Sequence, residues 1–289
     1  MIDFNTIKPL IELYGARLEG NARDVSFDCA AHYVEADSSS IVWISEGNHS
    51  TRANTVVTGE GTKIARREGQ VVIRCANSKA LFAEIVNEFL VGKPVGGIDS
   101  TAHVHPEAKI HPSVRIGALS VIGKCEIGAG SDIDAHVVIH DETVIGEKCI
   151  ISAGVVLGVK GSGLVKNQAG KWMPFPQIGG LVLGNYVSVG ANSYVARGAL
   201  QNTTIGDHTH IGLSCCIGHN VTIGENTLIL ANSTLSGGTT VGNNVWISPG
   251  STLVNKVTIG DGAIIGQASN VMRNVAASTT VYGNPGKEK

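Results

Sequence analysis

From Ile205 to Val271 an aliphatic residue recurs at every sixth position without a slip: Ile205, Ile211, Ile217, Ile223, Ile229, Leu235, Val241, Ile247, Leu253, Ile259, Ile265 and Val271. A period of six fits neither the 3.6-residue turn of a helix nor the two-residue alternation of a simple strand. Hexapeptide repeats of this kind build a parallel β-helix, three hexads to a coil of eighteen residues. The aliphatic residue fills the interior and a small residue four places on fills the gap beside it. Glycine or asparagine takes the corner, where a positive φ costs them little. The predicted fold is mainly β: a left-handed parallel β-helix preceded by a small α/β domain.

Composition agrees with a narrow interior. Aromatic residues are 4% of the chain although hydrophobic residues are 43%, and the 37 glycines suit a corner-rich solenoid. A net charge of −2 argues against a broad nucleic-acid footprint. The start, Met1-Ile2-Asp3-Phe4, lacks the basic and apolar regions of a signal peptide. No apolar run approaches the ~18 residues of a membrane span. The six cysteines show no metal or redox spacing. Cys149 and Cys215 fall at small inward positions, whereas Cys216 points outward. The expectation is a reduced, cytoplasmic protein.

Residues 1–98 do not keep the six-residue period. Ile7, Leu10, Ile11 and Tyr14 predict a helix after Asn5-Thr6, ended by Gly15. Short β-like runs follow at 39–44, 54–57 and 71–73, then a helix capped by Ser78. Residues 92–97 read as a linker. The period starts at Val104, slips by one at Ile127, and continues to Leu157. Val159 to Gln177 holds glycines, two prolines and Trp172, so 159–177 is predicted as a loop extruded from the solenoid. The repeat resumes at Leu183, with a four-residue insertion between Val195 and Ile205. Interruptions of a regular solenoid are where function concentrates. The β-helix domain is assigned to 99–273 and a tail to 274–289, with the coils ending at Val271.

His219 stands two places after inward Ile217, so its ring points outward at a corner. Adding eighteen puts Gly237 above it, and eighteen more puts Asn255 there. A histidine beneath a glycine leaves room for a ligand, and histidine is the usual general base near neutral pH. His208 and His210 read as surface residues. There is no GxSxG elbow, and Gly161-Ser162-Gly163 lacks the strand–helix context of a dinucleotide site. His140, His208, His210 and His219 share no stacking position, so no metal site is assigned.

Phe175-Pro176-Gln177-Ile178-Gly179, Arg197-Gly198-Ala199-Leu200, Thr204-Ile205-Gly206 and Ile217-Gly218-His219-Asn220 occur in one order. That series resembles the UDP-3-O-acylglucosamine N-acyltransferases of lipid A synthesis. Ile41-Val42-Trp43-Ile44 and the Val71–Leu90 segment fit that family's uridine-binding module. The resemblance implies that His219 is the catalytic base and that Gly218 lies near the oxyanion, where a backbone N–H stabilises developing charge. It places Trp43 and His49 against the nucleotide base, with an indole well suited to stacking. Asn255 and Lys256 join them as substrate-binding residues. Three departures stand out: Lys256 replaces a second histidine, Gly212 falls where an acidic partner of the base belongs, and Glu46 replaces an asparagine that reads uracil. The close of the chain, with Gly283-Asn284-Pro285-Gly286-Lys287, instead looks like acetyl-CoA-dependent hexapeptide transferases. Gly237, Arg273, Asn284 and Lys287 are accordingly assigned to the acyl-CoA.

The resemblance implies an N-acyltransferase moving a short acyl group from acyl-CoA, with acetyl-CoA expected, to a UDP- or dTDP-linked amino sugar. It implies a homotrimer, with acyl-CoA as a co-substrate and no permanently bound cofactor. Two alternatives stay open. One is the lipid A enzyme itself, working with acyl carrier protein; the other is a non-catalytic nucleotide-sugar-binding scaffold.

Overall fold

The computed structural model describes residues 1–46, 48–92 and 95–288, the side chain of Asn48 excepted. Lys93 and Pro94 of the expected linker lie outside the described residues. The chain forms two compact units, Met1–Lys93 and Pro94–Lys289.

In the first unit, helix α1 (Phe4–Leu13) begins at Asp3, whose carboxylate accepts the Thr6 N–H at 2.9 Å. A side-chain acceptor there satisfies an N–H that the helix leaves without a partner. A five-stranded sheet runs in the order Arg17–Glu19, Val71–Arg74, Thr55–Thr58, Ser40–Ile44, Cys29–Ala30. Alternation along its strands separates two cores. Ile41, Val57 and Ile73 pack with Ile7 and Ile11 of α1 and with Leu81 and Ile85 of α2 (Ser78–Phe89). Val42, Ile44, Val56 and Val72 form a second cluster with Ala36 and Ala53. The N-cap of α2 is Asn77, without a side-chain cap bond, rather than the expected Ser78. The Ser78 hydroxyl is engaged by the Trp43 indole N–H at 3.2 Å.

The second unit is the expected β-solenoid. Each coil adds one strand to each of three sheets, with 11, 9 and 8 described strands. Coil-to-coil register is eighteen in the regular part, as in Cys216↔Thr234↔Thr252↔Asn270. All twelve aliphatic residues of the opening series are buried. Burying a side chain of this size stabilises by about 1.5–3 kcal/mol. The small residues four places on are buried too, and their hydroxyls are satisfied. Thr209, Thr227, Ser233 and Ser251 each donate to a backbone carbonyl of the next coil at 2.7–3.2 Å. Serine and threonine can therefore stand inside the solenoid without an unpaired polar atom.

The solenoid starts one hexad earlier than the sequence pattern indicated, because Gly97–Ile98 pairs in parallel with Arg115–Ile116. It also continues past Val271. Val275 bridges to Ile259 and Val281 pairs with Ile265, both sixteen residues apart, so a shortened last coil hides from a six-residue count. Among the described residues no helix is long and apolar enough to cross a membrane.

Corners fall three places after each inward residue, in the left-handed region. Asn220, Asn226, Asn232, Asn244, Gly238, Gly250 and Gly262 occupy it, but Ala268 adopts φ 53° with no such tolerance. A left-handed φ costs an ordinary residue about 1–2 kcal/mol. Ala268→Asn is therefore expected to stabilise the chain by about 1 kcal/mol and Asn244→Ala to destabilise it by a similar amount. Urea denaturation of the two variants checks both signs, and an unchanged midpoint in either refutes the corner argument.

Candidate active site

Both insertions leave the solenoid from one column of residues. Val159, Arg197, His219, Gly237, Asn255 and Arg273 each stand two places beyond inward Leu157, Val195, Ile217, Leu235, Leu253 and Val271. After Val159 the chain makes an antiparallel hairpin, Leu164–Lys166 with Trp172–Pro174, before re-entering at Leu181. After Arg197 it makes the shorter detour and re-enters at Thr203. Arg197 ties the two together. Its N–H donates to the Val159 carbonyl at 2.9 Å, and its guanidinium donates to Gly179 O at 2.7 Å and Asp141 O at 3.2 Å.

Beneath the first loop lies a cavity of about 760 Å³. Its floor is the outward face of one sheet, Val156, Tyr194, Cys216 and Thr234, and its roof is Lys160 to Leu164. His219, Gly218, Gly237, Ser236 and Asn255 form its side. The wall runs from apolar around Val156 and Leu164 to polar around Ser236 and Asn255. Burial, and then the neighbouring Cys216, push the Tyr194 phenol up from its ordinary value.

The half-buried His219 ring is wedged between two glycines. A Cβ at Gly161 would lie 2.9 Å from Cδ2, and one at Gly237 would lie 2.7 Å from Nε2. Any other residue at either place moves the ring or the loop. Nδ1 lies 2.8 Å from Asn220 Oδ1. Gly161 and Asn220 escaped the sequence reading as site residues. Gly161 stands 58 positions from His219 inside an irregular loop, beyond the reach of the coil count. Gln177, also missed, is buried beside Gly161 and Gly163, and its Oε1 has no partner among the described residues.

The expectation for Gly218 needs correction. It lines the cavity, but its N–H donates to Leu235 O at 2.8 Å. From Gly206 to Gly266 the residue after each inward position donates to the next coil, as Gly206, Gly212 and Gly224 do. The Gly237 N–H, one place further along its own hexad, has no partner among the described residues.

Other assigned residues are spread out. Asn255 lines the cavity, whereas exposed Lys256 sits at the corner with φ 63° and is not among its lining residues. Arg273 and Lys287 line a separate depression of about 320 Å³. Asn284 accepts a bond from Asn270 at 3.4 Å. Arg273 is three coils above His219, about 14 Å at a strand spacing of ~4.8 Å. Trp43 and His49 belong to the first unit. Trp43 packs toward the helix-side core, with the Lys79 ammonium 5.6 Å from its ring. His49 donates from Nε2 to Glu46 O at 2.5 Å and meets the Tyr33 ring in a tilted contact, 4.6 Å between centroids, and Tyr33 packs on the opposite core. The two aromatic residues therefore do not face each other across one slot. His208 stacks on Tyr186 and His210 meets Ser188, both outside the cavity. Cys149 and Cys215 are buried as expected, and burial pushes the Cys125 thiol up to about 12. Among the described residues no group of three or more His, Cys, Asp or Glu is placed to hold a metal ion.

The repeats and the fold have counterparts among known proteins. The family model described as bacterial transferase hexapeptide (six repeats) matches residues 202–237 and 238–271, and the hexapeptide repeat of succinyl-transferase matches 143–158. The UDP-3-O-acylglucosamine N-acyltransferase of Coxiella burnetii is 38% identical over 88 residues, 30% of this chain and 26% of that protein. The match thus spans only about a quarter of the curated relatives' length. Among solved structures, the UDP-N-acetylglucosamine O-acyltransferase of Moraxella catarrhalis is similar with a TM-score of 0.62 and 26% identity. It covers 66% of this chain and 73% of its own. LpxA from Acinetobacter baumannii is similar with a TM-score of 0.61 and 26% identity, covering 66% and 73%.

Because Gly161 alone lets the loop rest on the His219 ring, Gly161→Ala is expected to lift it. Hydrogen exchange of the amides from 160 to 178 should then accelerate by about tenfold or more, while the solenoid strands keep their protection. Unchanged exchange in the loop would show that the contact does not hold it down.

Proposed function

We propose that this chain is an N-acyltransferase that moves a short acyl group from acyl-CoA to the amine of a UDP- or dTDP-linked amino sugar. The observation that carries the reading is His219: a half-buried imidazole inside the cavity, at the corner from which both insertions leave. The named acyltransferases to which the chain is similar support the reaction class.

The chemistry follows from the geometry. The amine nitrogen attacks the thioester carbonyl, so an N–C bond forms and the C–S bond breaks. His219 accepts the proton from the nitrogen and returns it to the departing thiolate. Charge grows on the carbonyl oxygen during attack, and a fixed N–H aimed at it stabilises the transition state. The Gly237 N–H is the donor we assign, since the coil-to-coil ladder leaves it free. In this reading Asn255 holds substrate beside the base. The pantetheine arm climbs the column toward Arg273 and Lys287, whose charges suit the coenzyme A phosphates. Base stacking is assigned to Trp43, and the active assembly in this reading is a homotrimer.

A second reading keeps the lipid A reaction with an acyl carrier protein as donor. The Coxiella match favours it, because that protein's name specifies acylation of UDP-3-O-acylglucosamine. Calorimetry separates the two. Micromolar binding of acetyl-CoA without binding of acylated carrier protein supports the first, and the reverse supports the second. Nucleotide-sugar binding with neither donor bound would reveal a scaffold.

General-base catalysis is worth about 10²–10⁴-fold. His219→Ala is expected to lose that much in kcat with an unchanged far-ultraviolet spectrum. Turnover near wild type in this variant removes His219 from the role.

A further inference from the structure

Among the described residues no carboxylate is hydrogen-bonded to the proposed base, whose Nδ1 instead meets Asn220 Oδ1. We infer that Asn220 is a positioning residue that fixes His219 as the Nδ1–H tautomer, leaving Nε2 as the basic nitrogen. The inference deepens the proposed function and rests on His219 being the base.

One atom of Asn220 has two neighbours. Asn220 Oδ1 lies 3.0 Å from the Ala199 N and 2.8 Å from His219 Nδ1. A backbone N–H only donates, so the amide atom facing Ala199 is the oxygen and not the NH2 group. That removes the usual ambiguity in the orientation of an asparagine amide. The same oxygen carries no hydrogen, so the imidazole must donate to it. In the neutral ring the proton then sits on Nδ1, and Nε2 keeps a free lone pair on the side facing Gly237, where a Cβ would lie 2.7 Å away.

The fold secures each part. Asn220 is a corner residue with φ 59°, a conformation asparagine tolerates. Its own N–H donates to Thr203 Oγ1 at 2.9 Å. Ala199 belongs to the second insertion, so that detour delivers the N–H that orients the amide. The Ala199 carbonyl in turn accepts from Ile178 and Gly179 at 2.7 and 3.0 Å, at the end of the first loop. Both insertions therefore converge on one ring: one orients its Nδ1 partner Asn220, the other rests Gly161 against its edge. The titratable groups near the ring are Lys160 in the roof and Tyr194 and Cys216 in the floor. Arg197, below it in the column, is turned to Gly179 and Asp141. Asn220 is the described partner of Nδ1.

Two variants separate this role from backbone strain. Asn220→Gly keeps the left-handed corner and removes the acceptor. Asn220→Asp keeps the acceptor and adds a negative charge. The first readout needs no activity: the full chain with ¹⁵N-labelled histidine, with His219 assigned by its loss in His219→Gln. The expected spectrum shows a protonated Nδ1 and an unprotonated Nε2, and this pattern is lost in Asn220→Gly. The second readout is turnover of acetyl-CoA with a UDP-linked amino sugar. Asn220→Gly should lower kcat at least about tenfold, up to the ~10²–10⁴-fold worth of the base, with little change in KM. Asn220→Asp should retain turnover and move the acid limb of the pH profile upward. A carboxylate there favours the imidazolium and raises its pKa, so the basic form appears only at higher pH. An Nε2–H tautomer in the native chain, wild-type kcat in Asn220→Gly, or loss of turnover in Asn220→Asp without a shifted limb would each overturn the proposal. Full activity in His219→Ala would instead sink the base assignment, and the nitrogen spectrum would still decide the tautomer alone.

Discussion

The ladder of backbone hydrogen bonds between coils governs what the rest of this molecule can do. Each strand spends its N–H groups on the coil above, and each inward aliphatic residue stacks on the one below. Together they leave no freedom inside the solenoid. A buried backbone group without a partner is costly, so a regular coil cannot simply open to hold a ligand. Two places beyond an inward residue, where the coil turns, an N–H such as that of Gly237 escapes the ladder among the described residues. The proposed base, the free Gly237 N–H and Asn255 all stand at this position, just before a corner and in one column.

A column also imposes a scale. Residues stacked by eighteen are separated by about 4.8 Å per coil, so the column from His219 to Arg273 measures about 14 Å along the solenoid. The corner becomes a site only where the stack is interrupted below His219. There the two insertions cover the wall, and the glycines at 161 and 237 keep the space around the ring from filling with side chains. A rigid solenoid with two local exceptions thus gives a covered cavity without disturbing the core, since Leu157, Val195 and Ile217 stay buried through the interruptions.

Much of this was legible in the sequence, for physical reasons that also explain the rest. The six-residue period survives because every hexad meets the same interior, and the corner asparagines survive because few residues tolerate their φ. Ile98 was missed because the glycines and proline before it read as a linker, and Val281 because the last coil is two residues short. The counting that found Gly237 above His219 could not tell Gly218 from Gly237 as an N–H donor. That distinction depends on which residue of each hexad donates to the next coil, a property of the three-dimensional ladder. Gly161 and Gln177 were beyond reach for a different reason. They approach His219 from a loop with no period, and nothing in their spacing encodes where the loop lands.

Asn220 was visible beside His219 all along, but its role depends on Ala199, whose place is set by an insertion. A neutral amide differs from a carboxylate in what it does to the base. A carboxylate orients the imidazole and also stabilises the imidazolium, which raises its proton affinity. An amide oxygen orients the ring without adding charge. That suits the reaction proposed here. A free amine attacks a thioester without prior deprotonation, so the base is needed only as the N–C bond forms and the nitrogen becomes acidic. A hydroxyl acceptor makes a heavier demand, because it must lose its proton as it attacks. At this corner the amide oxygen of Asn220 is held by the Ala199 N–H and can only accept from the imidazole, so orientation of the ring is supplied by the fold of the second insertion.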